Sequence, residues 1–68
     1  MAVAPAEVVQ AVADLLSPVE GRTPREINAW LPEISRASVR NALYFLMEEG
    51  RVMFEGEMGK RRYRLVTI

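Results

Sequence analysis

The stretch TPREINAWLPEISRASVRNALYFLMEEGRV, Thr23 to Val52, decides how this chain folds. Thr23 carries the hydroxyl of a helix cap, Pro24 has the fixed φ that suits the first helical position, and Glu26 stands three residues after Thr23 as a capping box requires. A helix is therefore expected from Pro24 to Trp30 or Leu31, with Ile27, Trp30 and Leu31 buried and Arg25 and Asn28 outside. Pro32 interrupts it, Ile34 returns to the core, and Ser35 offers a second cap. From Arg36 onward Val39, Ala42, Leu43 and Leu46 recur at three- and four-residue spacing, which places them along one side of another helix. That helix should run to Glu49 and stop at Gly50, which lacks a Cβ and so tolerates the left-handed conformation.

Only PEI and the cap separate these two helices, the short connection of a helix-turn-helix. Upstream, Val8, Val9, Val12, Leu15 and Leu16 form a helical stripe from Pro5 to Leu16 that Ser17-Pro18 closes. Its valines are β-branched, so packing rather than intrinsic propensity must hold it. Downstream of Gly50 the period falls to two. Val52 and Phe54 alternate with Met53 and Glu55, and Tyr63 and Leu65 alternate with Arg62 and Arg64. The intervening EGEMGK holds two glycines, as a hairpin loop would. With a short strand around Gly21-Arg22, the expected fold is α+β: a winged helix-turn-helix, three helices followed by a C-terminal β-hairpin wing, as one domain over residues 1–68.

Composition removes most chemistry. The 68 residues include no Cys and no His, which excludes thiolate nucleophiles, disulfides, zinc fingers and imidazole acid-base catalysis. Glu48 and Glu49 are neighbours on a helix and point about 100° apart, so they do not converge on a metal. The expectation is a protein that is not an enzyme and has no cofactor or metal. No apolar run reaches the ~18 residues of a membrane span, and no secretion signal is evident at the N-terminus. A cytoplasmic location is expected, nucleoid-associated in a bacterium.

Net charge is zero, but it is segregated. All nine basic residues lie at or after Arg22, and eight of them are Arg, the side chain suited to bidentate phosphate or guanine contact. The first helix, by contrast, is acidic.

The chain over roughly residues 6–66 resembles bacterial and phage winged-helix DNA-binding domains. The shared pattern is carried by Ser38, Val39, Arg40-Asn41, Leu43, Leu46, Glu48-Glu49, Gly50 and Val52. The resemblance implies a transcriptional regulator of double-stranded DNA whose third helix enters the major groove. Arg36, Ala37, Arg40, Asn41 and Tyr44 would then meet the duplex. Arg40 suits guanine, Asn41 adenine, Ala37 a thymine methyl, and the Tyr44 hydroxyl a phosphate. Ser35 and Ser38 stand at the helix N-terminus, where phosphate is favoured. Lys60, Arg61 and Arg62 fit a wing that touches backbone, although Glu55 and Glu57 on the same loop would repel it. A single such domain reads few base pairs, so a homodimer or cooperative assembly on DNA, acting as a repressor or other regulator, is expected.

Other readings stand beside this one. Winged helices also serve as protein-protein interaction modules, and an exposed Tyr44 and Phe45 would suit a protein partner. SVRNALYFL also resembles the recognition helix of Z-form nucleic-acid binders, with Tyr44 at the matching Tyr. Here Arg40 and Asn41 occur in the opposite order, and GKRRYR lacks that family's wing prolines. Lys60, Arg61 and Arg62 would equally keep an edge strand soluble.

Overall fold

The computed structural model describes residues 6–57 and 60–66. Pro5, the expected start of the first helix, and Met58 and Gly59 of the expected hairpin loop lie outside them. Three helices, α1 (Ala6–Leu15), α2 (Pro24–Trp30) and α3 (Arg36–Glu48), precede two strands, β1 (Val52–Glu55) and β2 (Arg62–Leu65). The strands pair antiparallel, with Val52 opposite Leu65 and Phe54 opposite Tyr63. Arg22 adds a single bridge on the far side of β2: its N–H donates to Tyr63 O at 2.9 Å and its carbonyl accepts from Tyr63 N–H at 2.7 Å. This is the α+β arrangement expected, three helices and a C-terminal hairpin in the topology of a winged helix. Among the described residues no helix is long and apolar enough to cross a membrane.

Local chemistry fixes the helix ends. Thr23 Oγ1 accepts from Glu26 N–H at 3.1 Å while Glu26 Oε1 accepts from Thr23 N–H at 3.0 Å, closing the capping box. Ser35 Oγ accepts from Ser38 N–H at 3.1 Å at the start of α3. At its end Gly50 takes φ +74°, its N–H donates to Met47 O, and Arg51 N–H donates to Leu46 O, both at 3.0 Å. That pair of bonds is a Schellman motif, which satisfies two of the helix's free carbonyls and turns the chain into β1. Glu49 is the C-cap, one residue short of the expected helical end.

The core is formed by Val9, Val12, Ala13 and Leu16 of α1 and its end, Ile27 of α2, Val39, Ala42, Leu43 and Leu46 of α3, and Val52 and Tyr63 of the sheet. Among the described residues no polar or charged side chain is buried in it. Met47 packs partly against this cluster and Met53 lies outside it.

Two expectations need correction. Trp30 is not core but 48% exposed, with the Arg22 guanidinium 5.1 Å from its ring centroid. A seven-residue helix turns only one fully apolar position, Ile27, into the core; Trp30 leans off that axis and finds a cation instead. Asn28 does not stay outside. It is half-buried, and its Nδ2 donates to Ile34 O at 2.7 Å and to Leu31 O at 3.4 Å, tying down the turn between α2 and α3. Phe45 is 44% exposed.

Candidate nucleic-acid interface

The buried residues of α3 are centred between Val39 and Leu46, so at 100° per residue the opposite face is Ala37, Asn41, Tyr44 and Glu48. Arg36 and Arg40 lean from that face toward β2, and Ser38 and Phe45 lean the other way. Ala37, Arg40 and Tyr44 are exposed, Tyr44 at 46%, while Asn41 is half-buried.

Between α3, the start of α2 and the wing runs an open groove of about 570 Å³. Its walls are Thr23, Pro24 and Arg25 from α2, Arg36, Arg40, Leu43 and Tyr44 from α3, and Arg61 and Tyr63 from the hairpin. Four of these residues are arginines and, among the described residues, none that lines it is acidic. The ion pairs among the described residues engage other arginines: Arg22 with Glu20 at 3.3 Å, Arg51 with Glu49 at 3.3 Å, and Arg64 with Glu55 at 2.6 Å. Among the described residues the ion-paired arginines thus lie outside this groove and the four that line it make no ion pair, while Arg62, also without one, lies on the other face of the hairpin.

The period of a strand sorts the wing residues. Tyr63 faces the core, and Arg61, two residues earlier, stays on that side and lines the groove. Arg62 falls on the opposite face with Arg64, beside Glu55 and Gly21, and its Nη1 donates to Gly21 O at 3.3 Å. The expected trio Lys60, Arg61 and Arg62 is therefore split: the structure brings Arg61 to α3 and takes Arg62 away from it. The same alternation removes Glu55 from the groove side and neutralises it against Arg64. Lys60 is exposed in the turn, where its N–H donates to Glu57 O at 2.9 Å.

Ser35 and Ser38 lie at the N-terminus of α3 but are engaged with each other, Ser35 Oγ donating to Ser38 Oγ at 2.9 Å. They and Ala37 and Asn41 do not line the groove; they continue the surface beside it. The Glu26 carboxyl is held below its usual value first by the Thr23 N–H, then by the Thr23 hydroxyl and the charges of Arg62 and Arg22, against the desolvation that raises it.

One wall residue and one distinction lay outside the sequence-based expectation. Arg25 follows Pro24 in the first turn of α2, where only the packing of α2 against α3 reveals what it faces. The separation of Arg61 from Arg62 was available in the period-two pattern, but a run of three basic residues obscures it. No family model, curated protein or solved structure matches this chain.

Proposed function

We propose that the protein is a small double-stranded-DNA-binding protein, a transcriptional regulator, that docks α3 in the major groove and holds one strand's backbone in the groove between α3 and the wing. The observation that supports this best is the arginine groove itself: four arginines and, among the described residues, no acidic one, in a protein of zero net charge. Single phosphates recruit arginine as bidentate donors, and a backbone strand presents them in series. Arg25, Arg36 and Arg61 take phosphate, with Lys60 beyond them at the turn. Tyr44 donates its hydroxyl to the same strand. Arg40, at the edge between groove and outward face, reads guanine or holds phosphate, and Asn41 and Ala37 meet base edges. A single recognition helix reads few base pairs, so a longer site requires two copies or a cooperative array.

Selection from random duplex DNA, followed by affinity measurement on the enriched site, tests this reading. Arg36→Ala with Arg61→Ala should weaken all sequences alike, whereas Asn41→Ala should flatten sequence preference; Arg62→Ala should do neither. No enrichment and no duplex binding at low salt would refute it. One observation favours a second reading: Tyr44 and Phe45 are adjacent and both near half exposed, as in a protein-binding module. In that case a protein partner, and not DNA, would be lost on Phe45→Ala.

A further inference from the structure

We propose that Phe54 is a positioning residue for Arg61: its ring serves as a platform that fixes the Arg61 guanidinium in the groove before any phosphate arrives. The inference rests on the DNA-binding reading above and adds to it a residue that touches no DNA.

The Arg61 guanidinium carbon lies 4.3 Å from the Phe54 ring centroid, within the range of a cation–π contact. Its Nε is enclosed and makes no hydrogen bond among the described residues, so the side chain is held by the ring face and not by a carboxylate. Among the described residues no ion pair involves Arg61. The platform is itself braced. Phe54 stands directly opposite Tyr63 in the hairpin, the ring centroids 5.8 Å apart and tilted by 43°. Tyr63 is buried, and its backbone is clamped by the two hydrogen bonds to Arg22. Rigidity is therefore passed from the sheet to Tyr63, to Phe54 and to the charged head of Arg61.

The chemistry explains why a wing arginine would be held this way. A free Arg carries large rotamer freedom, which is lost on gripping phosphate and weakens the grip. Pairing it with Asp or Glu would restrain it but cancel the charge that attracts the backbone. An aromatic face restrains the guanidinium, leaves its charge intact and keeps the edge N–H groups available. Arg64, on the opposite face of the hairpin in β2, shows the alternative: it is restrained by Glu55 and neutralised.

The experiment is a double-mutant cycle on duplex affinity with Phe54→Leu, Arg61→Ala and the double variant, accompanied by Phe54→Tyr. Thermal unfolding of each variant checks that the hairpin persists. Phe54→Leu should weaken duplex binding about threefold to fivefold, the size of an exposed cation–π contact, and should cost nothing further once Arg61 is Ala. Phe54→Tyr should restore wild-type affinity. Nitrogen NMR of Arg61 Nε should show slowed exchange and a ring-shifted resonance in the wild type that Phe54→Leu abolishes. Wild-type binding that Phe54→Leu leaves unchanged, or weakens equally with and without Arg61, overturns the platform but not the DNA reading. No duplex binding by the wild type overturns both.

Discussion

Asn28 is a small residue with a large expected effect, because it joins α2 to the turn that aims α3. Its Nδ2 donates to Ile34 O at 2.7 Å, a bond whose net contribution is about 1 kcal/mol. The second bond, to Leu31 O at 3.4 Å, is at the limit of hydrogen-bond geometry and adds little. Asn28→Ala removes both and leaves the Ile34 carbonyl poorly solvated, for a gross loss of ~1.5 kcal/mol. Alanine's better helix propensity returns about 0.5 kcal/mol. The expected net destabilisation is ~1 kcal/mol, or a fall in Tm of about 4 to 8 °C for a domain of this size. Asn28→Asp is the sharper variant: it keeps the shape and the low propensity but points a carboxylate at two carbonyl oxygens. It should lose ~2 to 3 kcal/mol at neutral pH. Its folded-state pKa is then raised above the unfolded value. The penalty relative to wild type is full above the raised pKa and shrinks as pH falls through it, once the acid can donate. Urea unfolding followed by the fluorescence of Trp30, the sole Trp, with circular dichroism as a second probe, reads both effects. An Asn28→Ala protein as stable as wild type, with Asn28→Asp equal to it at neutral pH, would refute the role given to this side chain.

Two further outcomes concern the wing and the acid limb of stability. Gly56 takes φ +99°, and a Cβ there would meet Lys60 O at 2.9 Å, so Gly56→Ala should cost about 1 to 3 kcal/mol in chemical unfolding and displace the turn that carries Lys60. Glu26, with its pKa lowered chiefly by the Thr23 N–H, lends stability that is full above the ordinary carboxylate range and is lost as pH falls through its folded pKa. Glu26→Gln should therefore flatten the acid limb of the pH–stability curve; an unchanged limb would show that the capping carboxylate carries no such linkage.

What could be read from the chain was what is encoded locally. The caps of α2 and α3, the stop at Gly50 and the alternation in the hairpin each depend on residues within a few positions of one another, and each is present. Trp30 escaped because phase with Ile27 says which way a side chain leans but not whether neighbours cover it, and its partner Arg22 comes from outside the helix. Asn28 escaped for a similar reason: its acceptor lies six residues on, beyond the helix. The groove is wholly non-local. Arg25, Arg36, Arg40 and Arg61 are brought together only when α2 and the hairpin pack against α3. A basic run such as Lys60-Arg61-Arg62 reads as one patch until the pleat of the strand divides it.

The salt dependence of duplex affinity tests the central claim most directly. Four phosphate contacts, from Arg25, Arg36, Arg61 and Lys60, give a slope of log affinity against log salt of about −3.6, and Arg36→Ala with Arg61→Ala should reduce it to about −1.8. Arg62→Ala, on the far face of the sheet, should leave the slope unchanged. A wild-type slope near zero, or one that falls with Arg62→Ala and not with the groove variants, would contradict the assignment of this groove to the DNA backbone.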